Sequence, residues 1–102
     1  MSINLISSKE LKSLIDNNEA VQLVDIREKY ELEIDGESNA IHIPMGELID
    51  RLDEIPSSEK VVFHCSSGQR SANILNFMLM NNLHKNNYFS LEGGFKAWLE
   101  VR

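Results

Sequence analysis

Residues 60–82, KVVFHCSSGQRSANILNFMLMNN, join a strand pattern to a helix pattern through a short polar loop. Residues 60–64 form a short, largely apolar run, which is typical of a strand buried on both faces of a sheet. Residues 71–82 carry apolar side chains at helical spacing over a wide face: Ala72, Ile74, Leu75, Phe77, Met78, Leu79 and Met80. The width of that face predicts a helix that is covered on more than one side.

The same alternation of strands and helices extends along the whole chain. Apolar runs predict strands at residues 3–6, 20–26, 40–43, 60–64 and 88–91. Helical patterns lie at residues 7–18, 27–32, 47–53, 71–82 and 95–101. Ser7 and Glu10 match a capping box at the start of the first helix. Strands separated by helices need crossover connections, so we predict an α/β fold with a small parallel five-stranded sheet and helices on both faces.

Length and composition predict one globular domain over residues 1–102, with 42% hydrophobic and 25% charged residues. The formal net charge is −6 and the sequence has no basic cluster, so we expect neither nucleic acid nor an anionic membrane as a partner. No apolar run is long enough to cross a membrane, and the first residues lack the pattern of a secretory signal. We therefore expect a cytoplasmic protein.

Cys65 is the only cysteine, which excludes an internal disulfide and a zinc site built from several cysteines. The three histidines are scattered along the sequence, without metal-ligand spacing. A lone free cysteine is often a small buried hydrophobic residue, and this interpretation stays open until its neighbours are considered.

The loop that begins at Cys65, CSSGQRS, follows the end of the fourth strand, where parallel α/β sheets bind ligands. The N–H groups of this loop and of the first helical turn have no partner in the sheet or helix, so a curled loop gathers them around one point. Gly68 supplies backbone freedom for the curl, and Ser66 and Ser67 are small. Such a ring favours a thiolate, so we predict an exposed, nucleophilic Cys65 at neutral pH.

Two further side chains belong to this candidate site. Arg70 carries a planar cationic fork that suits an oxyanion, and a cation is otherwise poorly placed at the start of a helix. Ser71 fits a helix N-cap and a substrate contact equally well. The candidate site is therefore Cys65 as nucleophile together with six substrate-binding residues: Ser66, Ser67, Gly68, Gln69, Arg70 and Ser71.

The spacing within the loop separates two chemistries. The tyrosine-phosphatase signature places five residues between its cysteine and arginine, whereas four residues separate Cys65 from Arg70. A loop that is one residue shorter has fewer N–H groups and fits a tetrahedral phosphate poorly, but it suits one extra sulfur atom on Cys65. A phosphatase or arsenate reductase of the related cysteine-loop group is the alternative.

Four stretches in the same order resemble the rhodanese (sulfurtransferase) family. They are CSSGQRS at residues 65–71, VDIRE at 24–28, IHIPMGEL at 41–48 and LEGGFKAW at 91–98. The family's usual G-H-I-x-G-A segment is replaced here by DGESNA at residues 35–40, in which only the final alanine matches.

The resemblance implies transfer of a sulfane sulfur through a persulfide on Cys65, with no metal or organic cofactor. A small anionic donor such as thiosulfate would supply the sulfur, and cyanide, an external thiol or a protein cysteine would accept it. The resemblance also implies that Asp25 and Arg27 belong to the structural frame, and we expect the same of His64. A non-catalytic binding module with the same fold is the remaining alternative.

Overall fold

The computed structural model describes residues 2–102 and contains one sheet of five parallel strands. The strands are β1 (Asn4–Ile6), β2 (Val21–Asp25), β3 (Ile41–His42), β4 (Lys60–His64) and β5 (Tyr88–Leu91). Their order across the sheet is β1-β5-β4-β2-β3. The predicted α/β architecture is thus confirmed, and β4 lies at the centre of the sheet.

Within residues 2–102, four helices lie between successive strands and a fifth follows β5: α1 (Ser8–Asp16), α2 (Lys29–Asp35), α3 (Met45–Leu48), α4 (Gln69–Met80) and α5 (Gly94–Val101). A 3₁₀ segment, Ile49–Glu54, continues α3. The predicted capping box at Ser7 and Glu10 is confirmed, because the Glu10 N–H donates to Ser7 Oγ and the Ser7 N–H donates to Glu10 Oε1. None of the helices within residues 2–102 has the length and apolar character needed to span a membrane.

The helices cover both faces of the sheet, and each face has its own apolar cluster. Helices α1 and α5 cover one face, where the cluster contains Ile6, Leu11, Val62, Leu91, Phe95 and Trp98. Helices α3 and α4 cover the other, where the buried residues include Leu48, Val61, Phe63, Cys65, Leu75 and Met78. Successive side chains of a strand alternate between faces. Cys65 continues the alternation of Val61 and Phe63 and therefore enters the cluster beneath α4.

Four details of the sequence prediction are wrong. Helix α4 starts at Gln69, two residues earlier than predicted, and Gly68 rather than Ser71 occupies its N-cap position. Helix α4 is covered on one side only, since Phe77 is 47% exposed and Met80 is 83% exposed. Helix α2 starts at Lys29, two residues later than predicted, because Glu28 occupies the N-cap position. The helix predicted at residues 47–53 instead starts at Met45 and is interrupted at Arg51, whose φ of −122° is not helical.

Candidate active site

The loop of residues 65–71 lies between the N-terminal ends of α4 and α5. At the α4 end, Gly68 is the N-cap residue and has a φ of 98°, so the conformational freedom predicted for it is used. At the α5 end, the Phe95 N–H donates to the Cys65 carbonyl at 2.8 Å. The Lys96 N–H donates to the Ser66 carbonyl at 3.1 Å. Two backbone hydrogen bonds thus hold the start of the loop against α5.

These two bonds also determine where the next N–H groups point. In a trans peptide, the N–H lies opposite the carbonyl of the preceding residue. Because the Cys65 and Ser66 carbonyls face α5, the N–H groups of Ser66 and Ser67 point away from it. Within residues 2–102 no protein acceptor receives the N–H of Ser66, Ser67, Gln69 or Arg70. The loop therefore offers several backbone donors to a ligand.

The Cys65 sulfur is already bound by the loop. The Gly68 N–H donates to Cys65 Sγ at 3.1 Å, and the thiol faces Ser71 Oγ at 3.8 Å. Ser71 Oγ donates to the Gly68 carbonyl at 3.2 Å and lies 2.7 Å from Ser90 Oγ. A hydroxyl has one proton to donate, so Ser90 donates to Ser71 in this arrangement. Ser71 therefore braces the loop, and Ser90, which sequence analysis missed, supports it from β5.

The predicted exposure of the thiol is wrong. Cys65 is 0% exposed, because its side chain enters the core cluster beneath α4. The lone-cysteine interpretation is therefore correct about burial, although the sulfur also receives the Gly68 N–H. Ser67 and Gln69 are exposed, and the Gln69 side chain donates to Asn73 Oδ1 at 3.2 Å. The sulfur thus forms the floor of a loop whose outer residues face solvent.

Arg70 does not present a free cation. Its Nη1 and Nη2 donate to the two carboxylate oxygens of Glu31 at 2.8 Å and 2.6 Å. Glu31 Oε2 also accepts the Glu28 N–H at 2.7 Å, which closes a capping box at the start of α2. The hydrogen bonds from Arg70 lower the pKa of Glu31 to about 2. The same bonds raise the pKa of Arg70. The sequence prediction missed Glu31, since 39 positions separate it from Arg70 and no local pattern links them.

A buried polar cluster lies beside the loop and is formed by Asp25, Arg27, Ser38 and His64. Arg27 Nη2 donates to Asp25 Oδ2 at 2.7 Å. Ser38 Oγ donates to Asp25 Oδ2 at 3.4 Å and lies 2.8 Å from His64 Nε2. Burial raises the pKa of Asp25, but the Arg27 hydrogen bonds and the nearby His64 more than offset this, so its pKa lies below its usual range. Burial lowers the pKa of His64.

This cluster explains how the divergent segment at residues 35–40 fits the fold. Ser38 from that segment reaches both Asp25 and His64, and the Gly36 carbonyl accepts Arg27 Nη2 at 2.9 Å. The Asp25 carboxylate receives the Arg27 guanidinium, so it is held as an ion-pair partner. Such contacts favour the structural role expected for Asp25, Arg27 and His64 over a role as a catalytic base.

Comparisons with known proteins place this geometry in a family. The family model of the rhodanese-like domain matches residues 7–101. The candidate sulfurtransferase YtwF of Bacillus subtilis is 33% identical over 98 residues, which cover 96% of this chain and 92% of that protein. A sulfurtransferase of Allochromatium vinosum is 32% identical over 96 residues, which cover 94% of this chain and 88% of that protein.

A solved structure from Rhodopseudomonas palustris has the same fold, with a TM-score of 0.80 and 28% identity. The match covers 97% of this chain and 81% of that one, which is described as a protein of unknown function and possible tyrosine phosphatase. The family model spans nearly the whole chain, and both sequence relatives cover more than two thirds of it. The chain therefore belongs to the rhodanese-like domain family.

Proposed function

We propose that this protein is a sulfurtransferase that carries a sulfane sulfur as a persulfide on Cys65. One observation supports this more than any other: the only cysteine of the chain accepts the Gly68 N–H at 3.1 Å, inside a loop in which four further N–H groups have no acceptor within residues 2–102. Backbone donors that are fixed before the reaction stabilise a thiolate and a persulfide anion without reorganisation. The sulfurtransferase relatives agree with this class of chemistry.

The proposed reaction has two displacement steps. The Cys65 thiolate attacks the outer sulfur of thiosulfate, the sulfur–sulfur bond of the donor breaks, and sulfite leaves with the bonding electron pair. An acceptor thiolate or cyanide then attacks the outer sulfur of the persulfide, and the Cys65 thiolate leaves. This is covalent catalysis, in which the second step regenerates the Cys65 thiolate. Because the chain has no second cysteine, an external small thiol or a cysteine of another protein takes the sulfur.

The burial of Cys65 constrains the first step. A donor has to approach the sulfur from the solvent side of the loop, past the exposed side chains of Ser67 and Gln69. The start of the loop is anchored to α5 by the Cys65 and Ser66 carbonyls, which keeps the N–H groups of Ser66 and Ser67 in position for the donor. A reducing compartment, as expected from the sequence, would keep the thiol free between turnovers.

The phosphatase alternative has less support. Four residues lie between Cys65 and Arg70, and Arg70 is bound to Glu31 by two hydrogen bonds. A phosphate would have to compete with that carboxylate for Arg70 and fit inside the shorter loop. The Rhodopseudomonas palustris protein is described as a possible tyrosine phosphatase, so phosphatase activity is tested in parallel.

The test is to incubate the protein with thiosulfate and measure its mass. We expect the gain of one sulfur atom, its removal by cyanide, and no gain in Cys65→Ser. The serine variant should remain folded, since the substitution changes one atom of the side chain. Hydrolysis of an aryl phosphate without any sulfur adduct would favour the phosphatase, and neither activity, with glutathione persulfide tested beside thiosulfate, would favour a binding module.

A further inference from the structure

We propose that Glu31 sets the donor preference of the site: by occupying Arg70, it disfavours small oxyanions such as thiosulfate and favours the persulfide of a thiol. This inference rests on the proposed sulfur-transfer function, and it names the class of donor. It also makes Glu31 a specificity-determining residue that acts through Arg70.

The first support is the geometry of the ion pair. Both terminal nitrogens of Arg70 bind a single carboxylate, at 2.8 Å and 2.6 Å. The carboxylate is fixed in turn by the Glu28 N–H, and the Glu31 side chain is only 13% exposed. A bidentate arginine–carboxylate pair of this kind is oriented as well as attractive. The fork of Arg70 is therefore filled in the resting protein.

The second support is the charge around the fork. Arg70 is the only cation in the loop of residues 65–71, and Glu31 neutralises it. The N-terminus of a helix favours negative charge, but the first turn of α4 contains no acidic residue. Glu31, which belongs to α2, supplies that negative charge. Exposed Glu28, Glu33, Asp35 and Glu37 outnumber the one exposed lysine of α2, Lys29, so the charge on and beside this helix is negative. Thiosulfate, a dianion, thus approaches an Arg70–Glu31 pair that has no net charge and lies beside an acidic helix.

The two donor classes differ in what they need from this site. Thiosulfate carries its charge on oxygens that Arg70 would bind, so it competes with Glu31 for the guanidinium. With a thiol persulfide, the Cys65 thiolate attacks the terminal sulfur, the donor sulfur–sulfur bond breaks, and the donor thiolate leaves with the electron pair. That transfer uses the loop N–H groups around the sulfur and leaves Arg70 with Glu31.

The experiment compares Glu31→Gln with the wild type for two donors, thiosulfate and glutathione persulfide. The readout is the ratio of kcat/KM for thiosulfate to kcat/KM for the persulfide. We expect this ratio to rise about tenfold in the variant, because glutamine keeps the shape of the side chain but no longer neutralises Arg70. A purely structural role for Glu31 would lower both values together and leave the ratio unmoved.

Glu54→Gln is the matched control. Glu54 also binds an arginine through two oxygens, at 2.8 Å and 2.9 Å from Arg51, and its loss changes the net charge by the same amount. None of the hydrogen bonds of Glu54 within residues 2–102 reaches the Cys65 loop. Its donor ratio should stay within about twofold of the wild type.

The outcomes separate this inference from the function on which it rests. If the wild type gains no sulfur from either donor, the sulfurtransferase proposal fails. If it gains sulfur from both and the ratio in Glu31→Gln matches that of Glu54→Gln, the role of Glu31 is wrong. Should Glu31→Gln not fold, Glu31→Asp serves instead, since it keeps the charge but shortens the reach to Arg70; a folded aspartate variant with an unchanged ratio overturns the inference.

Discussion

Substitution of Gly94 by alanine should detach the sulfur-binding loop from α5. Gly94 has a φ of 59°, and a Cβ built on it lies 2.6 Å from the Cys65 carbonyl oxygen. The same Cβ lies 2.6 Å from the carbonyl carbon and oxygen of Ser66. All three atoms belong to the backbone, so no side-chain rotation relieves the contact. The loop has to move away from the helix that positions it.

The size of the effect follows from two costs. A left-handed conformation costs a non-glycine residue roughly 1–2 kcal/mol. Displacing the loop also breaks the hydrogen bonds from Phe95 and Lys96, each of which contributes about 0.5–1.5 kcal/mol net. Together they lower the free energy of unfolding by about 2–5 kcal/mol, a large part of the roughly 5–15 kcal/mol that holds a domain folded.

Denaturant unfolding measures the stability, and mass spectrometry after timed exposure to thiosulfate measures the rate at which Cys65 gains sulfur. Gly94→Ala should load at least about tenfold more slowly while still folded, because the N–H groups of Ser66 and Ser67 turn with the carbonyls. Gly46→Ala is the control: it lies in α3, nothing is within 4 Å of the added Cβ, and a gain of up to about 1 kcal/mol is expected. A Gly94→Ala protein that unfolds and loads like the wild type would falsify this account of the loop.

Two further predictions concern charge. Arg70→Ala should reduce kcat/KM for thiosulfate more than for a thiol persulfide, because it removes the only cation of the loop and exposes the Glu31 carboxylate to the donor; equal losses would contradict this. The free energy of unfolding should fall as the pH drops below about 6.5, because burial lowers the pKa of His64 in the folded state and the unfolded chain then binds the proton more tightly. His64→Gln should flatten that part of the pH profile, as measured by denaturant unfolding at each pH; a slope identical to that of the wild type would refute the role of His64.

Sequence patterns predicted the structural features that depend on residues close together in the sequence. The capping box of Ser7 and the position of Cys65 at the end of β4 both follow from local spacing, and both are confirmed. The contacts of Arg70 with Glu31 and of Ser71 with Ser90 join residues 39 and 19 positions apart. Local periodicity carries no information about such pairs, which arise only when the crossovers bring α2 and β5 to the start of α4.

Burial was the other property that periodicity could not supply. The apolar pattern of α4 does not distinguish the side chains that pack on the sheet from Met80, which is 83% exposed. Conversely, a polar loop suggested an exposed thiol, although the alternation of β4 directs Cys65 inward. The pattern shows which residues can be buried together, and the packing of neighbouring elements determines which of them are.

The position of Arg70 shows how one observation supports two different roles. A cation in the first turn of a helix opposes the helix dipole, and sequence analysis took this as a sign of function. Glu31 offers a structural explanation, because its carboxylate compensates the unfavourable placement and joins α2 to α4. The two explanations predict different effects on the two donors. If Arg70 is purely structural, its loss affects stability and the reaction with every donor to the same extent. If Arg70 binds anions and Glu31 limits that binding, its loss changes the preference between donors. Since the Glu31 carboxylate binds the two terminal nitrogens that an oxyanion donor would use, the second explanation also accounts for why Arg70 is paired in the resting protein although other N–H groups of the loop have no acceptor within residues 2–102.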